Sequence, residues 1–204
     1  MTLVEISFFT ADSEPYGRTY GNWTVEWWRW VLGIPTSINP VLDRTGKNAN
    51  VGQHNEDVLF LAGKLADEDR NVPDRFCTIS SKKSILFPVI NCESNKLEHP
   101  ELRTDQDIVE RVKRDEDTIV RKDCFVDGKR IPVQRVKSDP IVFELKLVKD
   151  NLFNAKGGQS TRASSDGYWI FLKPLPVGKH VISFQGSCEY GRLNSGASYH
   201  LEVR

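Results

Sequence analysis

The chain has 204 residues, 39% hydrophobic and 27% charged, with 28 Lys plus Arg against 28 Asp plus Glu. A chain of that length buries about 70% of its unfolded surface, so a core forms without a metal or disulfide. Formal neutrality argues against nucleic acid or an anionic membrane surface as a partner, because both are held by excess positive charge.

The N-terminal residues alternate Leu3, Glu5, Ser7 against Val4, Ile6, Phe8, which predicts a first strand. They lack the basic start and the unbroken apolar run of a signal peptide. No stretch approaches the ~18 uncharged apolar residues that span a bilayer. As written, the chain reads as cytoplasmic, or as extracytoplasmic if a leader has been removed upstream.

A polar connection leads to the densest feature of the sequence, Trp23-Thr-Val-Glu-Trp27-Trp28-Arg-Trp30, which holds four of the five tryptophans. The spacing predicts a helix over 22–34, with Asn22 as N-cap and Gly33 and Pro35 as its end. At 100° per residue Trp23, Trp27, Trp30 and Val31 share one face, while Val25, Trp28 and Leu32 crowd the next. Glu26 and Arg29 are left as a narrow polar wedge. Such a helix is either a plug buried in a core, an aromatic platform for a ligand, or a partner or membrane interface.

Residues 36–56 are rich in Asn, Gly, Asp and Pro and predict a long irregular loop, a common place for function. Strands are expected at 58–62, 76–80 and 84–91, the last two joined as a hairpin through Ser80-Ser81-Lys82-Lys83. Pro88 donates no ladder hydrogen bond and places its strand at an edge or a bulge. A charged excursion over 93–123 carries a helix over 104–122, capped by Thr104 with Asp107 three residues on. Asp127-Gly128 suits a type I′ hairpin turn. Further strands are expected at 141–148, 168–172, 179–185 and 197–203. Short strands at this spacing predict a mainly β fold, an antiparallel β-sandwich of one domain over 1–204, jelly-roll-like, with a buried Trp-rich helix and a helical insertion.

No catalytic motif stands out. Gly157-Gly158 lacks the Gly-Lys-Ser/Thr ending of a phosphate loop. The four histidines, His54, His99, His180 and His200, form no close pair in sequence, although His180 and His200 both fall in C-terminal strands that could meet across a sheet. No metal site and no cofactor are expected. Cys77, Cys92, Cys124 and Cys188 contain no CxxC pair. A Cys92–Cys124 bridge would staple the base of the helical excursion and contribute roughly 3.5–4 kcal/mol. In a reducing compartment all four are small buried hydrophobes instead. Among the loop carboxylates Asp43, Glu56, Asp57 and Asp166, a glycosidase-like pair would first be sought at Asp43 and Asp166. Asp166-Gly167 predicts a turn, and Tyr168-Trp169 then opens a strand with its two rings on opposite faces.

The pieces Trp27-Trp28-Arg-Trp30, Ile34-Pro35, Asn39-Pro40, Asp43-Arg-Thr-Gly46, Leu59-Phe-Leu-Ala-Gly63, Cys77-Thr-Ile, Leu86-Phe-Pro-Val-Ile-Asn91 and Asp166-Gly-Tyr-Trp-Ile-Phe-Leu-Lys-Pro-Leu-Pro-Val-Gly-Lys-His180 resemble a family of uncharacterised bacterial and archaeal proteins, many of them exported. The resemblance spans about residues 22–203, implies one structural unit and carries no activity. Relatives with a leader often have a Cys near the position of Asn50. Its absence here leaves Cys77 without that partner, which the resemblance connects with a reducing compartment.

The leading functional expectation is a non-enzymatic binding or interaction module, with carbohydrate or a cell-surface polymer as ligand. Trp28, Trp30, Asp43, Gln53, Asp166 and Tyr168 would line its site. The alternatives are a hydrolase using loop carboxylates and a structural or assembly protein, with a protein partner or a homo-oligomer.

Overall fold

The computed structural model describes residues 6–189 and 192–204, so most of the expected first strand lies outside the described residues. Among the described residues two α-helices, α1 (Tyr20–Leu32) and α2 (Asp105–Glu116), accompany ten strands. These are β1 (Val58–Phe60), β2 (Asp74–Ile79), β3 (Ser84–Asn95), β4 (Ile119–Val126), β5 (Lys129–Arg130), β6 (Gln134–Lys137), β7 (Phe143–Lys146), β8 (Ser160–Leu172), β9 (Gly178–Cys188) and β10 (Asn194–Val203). The first sheet runs β1-β3-β8-β6, with β7 also paired to β8, and the second runs β2-β10-β9-β4-β5.

The first sheet is apolar on both faces. Ile85, Phe87, Val89, Ile170 and Leu172 point toward Ile182, Phe184, Leu201 and Val203 of the second sheet. Leu86, Trp169 and Phe171 point the other way, into the tryptophans of α1. A strand buried on both sides needs no polar alternation, which is why 85–90 and 169–172 read as continuous apolar runs. All four tryptophans of α1 are buried, from 2% exposure at Trp23 to 8% at Trp30. Glu26 and Arg29 pair at 2.9 Å on the remaining polar wedge.

Several local expectations are corrected. Pairing is mixed and not antiparallel throughout: β1 lies parallel to β3, and β2 parallel to β10. The expected hairpin over 80–83 is not formed; those residues carry the chain from the second sheet to the first. Pro88 sits in a central strand, and the register shift between Pro88 and Ile90 is the bulge that accommodates it. The N-cap of α1 is Thr19, whose hydroxyl accepts from the Asn22 amide, while Asn22 turns its side chain to the carbonyl of Asp139. The Thr104 capping box with Asp107 starts α2, but the helix ends at Glu116, and 119–122 belong to β4. Strand β8 begins eight residues before Tyr168, so Asp166-Gly167 is mid-strand and not a turn. Gly167 lies opposite Asn91, and a Cβ there would stand 2.6 Å from that of Asn91. Asp127 and Gly128 both adopt positive φ, as a type I′ turn requires.

The Cys92–Cys124 bridge is also overturned: all four cysteines are free thiols. Cys124 packs between the two sheets, whereas Cys92 turns toward α2 and donates to the carbonyl of Val112 at 3.3 Å. Among the described residues no helix is long and apolar enough to cross a membrane.

A cleft beside the tryptophan helix

The residues that converge on α1 come from four separate segments. Trp27 and Trp28 meet edge to face at 5.0 Å, and Trp27 meets Trp169 of β8 in the same way at 5.4 Å. Trp23, Trp27 and Trp30 each spend their indole N–H on a backbone carbonyl, of Pro15, Leu61 and Val51 respectively. Trp28 differs: its Nε1 is enclosed and has no partner.

Trp27, Trp28 and Val31 form one wall of a cleft of about 170 Å3. Val41, Leu152 and Phe153 add apolar surface from two loops, and Pro88, Asn91, Cys92 and Glu93 contribute from β3. The remaining side is residues 63–66 with Ser195. Gly63 has to be glycine for this approach, since a Cβ would meet the Ser195 hydroxyl at 2.7 Å. Arg75, 1% exposed, holds two sides of the cleft together by donating to the carbonyls of Ala62 and Val41 and to the Tyr199 hydroxyl. Tyr199 in turn donates to the same Ala62 carbonyl at 2.8 Å.

The polar groups of the cleft are largely engaged. Lys64 is buried, its ammonium bound by Asp67 and by the carbonyl of Asp69 at 2.7 Å. The Ser195 hydroxyl donates to the carbonyl of Lys64. Burial raises the Glu93 carboxyl to about 8, reinforced by the nearby Glu98 and opposed by the Asn95 amide, so it is neutral at pH 7. Burial likewise pushes the Cys92 thiol well above its ordinary value, with Glu116 adding to the effect, so it is no thiolate nucleophile. Asn91 Nδ2 is the second enclosed donor without a partner.

Of the six expected ligand residues, only Trp28 reaches this cleft. Trp30 borders a different depression with Trp23, Phe60 and His54. Asp43 organises its own loop, accepting from the amides of Thr45 and Asn48 and from the Thr45 hydroxyl. Burial opposes its ionisation, but those bonds and the Arg75 charge outweigh it and hold the carboxyl low. Gln53 braces the same loop against the Phe60 backbone in both directions, at 2.8 and 3.0 Å. Asp166 is gripped by the Arg135 guanidinium through Nε and Nη2. Tyr168 lies half-buried beside it, with the Lys122 ammonium 4.4 Å from the ring centre. Asp43 and Asp166 therefore have separate intramolecular duties.

The histidine pair is not formed either. His180 is held between Asp127 and the carbonyl of Pro176. His200 bonds to Asp74 and stacks on Phe76 on the outward face of the second sheet. Among the described residues no three His, Cys, Asp or Glu side chains are grouped to hold a metal ion.

Sequence reasoning missed Lys64, Arg75, Asn91 and Glu93. Arg75 lies just before the expected strand at 76–80 and Glu93 at the start of the expected charged excursion, so neither stood out from the polar residues beside it. Comparison with protein-family models, curated proteins and solved structures finds no match.

Proposed function

We propose that the chain is a non-enzymatic binding module on a sandwich-type scaffold, with its ligand seat in the cleft between α1, β3 and residues 63–66. The observation that carries this reading is the Trp27–Trp28 wall, an apolar concavity whose lining includes Trp28 and Asn91, two residues with enclosed and unpartnered N–H donors. Ligand sites commonly combine an apolar lining with a few convergent polar groups. The hydrolase alternative draws no support from Asp43 and Asp166, whose carboxylates are occupied by a loop and by Arg135. Kinship with the exported family remains a proposal resting on the sequence pieces quoted above.

The test is a thermal-melting screen against small apolar compounds, run beside Ala66→Trp, which fills the cleft from its rim. A ligand at 100 times its Kd adds about 2.7 kcal/mol and raises Tm by roughly 5–10 °C at this size. A saturable shift that Ala66→Trp abolishes is expected. A shift that survives the substitution moves the ligand elsewhere and defeats the reading.

A second reading keeps the carbohydrate ligand and places it on the outward face of the second sheet. There Phe76, 62% exposed, stacks on His200 at 4.6 Å and 12°, with Val181 and Phe125 also exposed on that sheet. The face of Phe76 turned away from His200 is the one left for a sugar ring to stack on. Glycan-array binding lost in Phe76→Ala would favour it, whereas a change in the oligomeric state of that variant would favour assembly through the same face.

A further inference from the structure

We infer that the tryptophan cleft takes an uncharged ligand of about one ring, whose apolar body carries a hydrogen-bond-accepting oxygen. The inference rests on the binding reading above and adds to it the chemical class of the ligand.

Size is the first argument. An apolar protein cavity of about 150 Å3 holds benzene, and this cleft measures about 170 Å3. A single ring with a short polar group matches that volume.

Charge is the second. The Lys64 ammonium is already neutralised by Asp67, and Glu93 keeps its proton at pH 7. An ion entering from water would lose its hydration and find no free counter-charge on the wall.

Hydrogen-bonding direction is the third. The Ser195 hydroxyl and the Cys92 thiol already donate to the carbonyls of Lys64 and Val112. The unused capacity is the N–H of Trp28 and the amide nitrogen of Asn91, both donors shut off from solvent, together with the proton that Glu93 keeps. A ligand oxygen that reaches them satisfies donors that the fold leaves unpaired, which favours an acceptor over a purely apolar ligand. Both nitrogens lie behind the cleft surface, so a ligand oxygen reaches them only when a neighbouring side chain shifts.

Calorimetric titration of the purified protein with toluene, acetophenone, benzoate and benzylamine at pH 7 separates these terms. Acetophenone should bind on the order of tenfold more tightly than toluene, as one or two hydrogen bonds imply. Benzoate and benzylamine should bind more weakly than either. Trp28→Phe, which keeps an aromatic wall and removes the N–H, should cut the advantage of acetophenone and leave toluene unchanged. Asn91→Leu provides the same comparison should Trp28→Phe fail to fold. Equal binding of toluene and acetophenone would overturn the donor argument and leave the cleft a ligand seat. Benzoate binding as tightly as acetophenone would overturn the neutrality argument. Failure of all four to bind would remove both this inference and the reading beneath it.

Discussion

At the scale of single residues, the tryptophans of α1 divide between structure and opportunity. Trp27 is enclosed by Trp28, Trp30 and Trp169 and bonds the Leu61 carbonyl at 2.8 Å. Trp27→Ala removes that volume and strands a buried acceptor, so it should lower stability by roughly 3–5 kcal/mol in urea unfolding. A variant that unfolds like the wild type would mean that the ring is not part of the core. Glu116 makes the opposite case, a polar side chain 1% exposed with both carboxyl oxygens unpartnered. Burial raises it from 4.5 to about 8, helped by Asp166 and opposed by the Cys92 thiol, Arg135 and Lys122. Between those two values the folded chain holds a proton that the unfolded chain releases. Stability therefore falls as pH rises from about 4.5 to about 8 and stays lower above that. Glu116→Gln should remove a large part of that slope, a difference on the order of a few kcal/mol between pH 5 and pH 9. Unfolding curves with the same pH dependence in both proteins would refute it.

At the scale of elements, α2 shows what local chemistry can achieve and where it stops. Its capping box satisfies the Thr104 and Asp107 amides reciprocally, and Asp105 pairs with Arg162 of β8. Ile108 and Val112 are its fully buried apolar contacts, so the helix leans on its cap more than α1 does on Thr19. Thr104→Ala should cost about 1 kcal/mol and speed amide exchange across α2 more than across α1. Uniform acceleration over both helices would indicate global destabilisation instead. The cap was legible because Thr-x-x-Asp is a pattern within four residues. The end of α2 was not, because Ile119 and Val120 continue a helical stripe equally well. The chain enters β4 here because β9 offers a ladder, with Ile119 opposite Cys188, Arg121 opposite Ser187 and Val120 at the register shift between them.

At the scale of the whole molecule, two apolar layers lie on either face of the first sheet: α1 on one side, the second sheet on the other. This arrangement separates Cys92 from Cys124 and keeps the four thiols free. A reductant should therefore leave Tm unchanged, and four thiols should react with a thiol reagent after unfolding in its absence. A drop in Tm with reductant would instead reveal a bridge, for which about 3.5–4 kcal/mol is expected for Cys92–Cys124.

Periodicity within a few residues was enough to read the mainly β character, the Trp-rich helix, the Thr104 cap and the Asp127-Gly128 turn from the sequence. These depend on neighbours one to four positions apart, and side-chain type reports them directly. Strand partners, the two parallel pairings and the convergence of Trp28, Lys64, Asn91 and Glu93 were decided only in the tertiary structure. Backbone ladders are nearly blind to sequence, so which strands meet is set by how the apolar faces of distant segments fit together. Gly167 illustrates the difference: beside Asp166 it reads as a turn, yet it is glycine because Asn91, seventy-six positions away, leaves no room for a side chain.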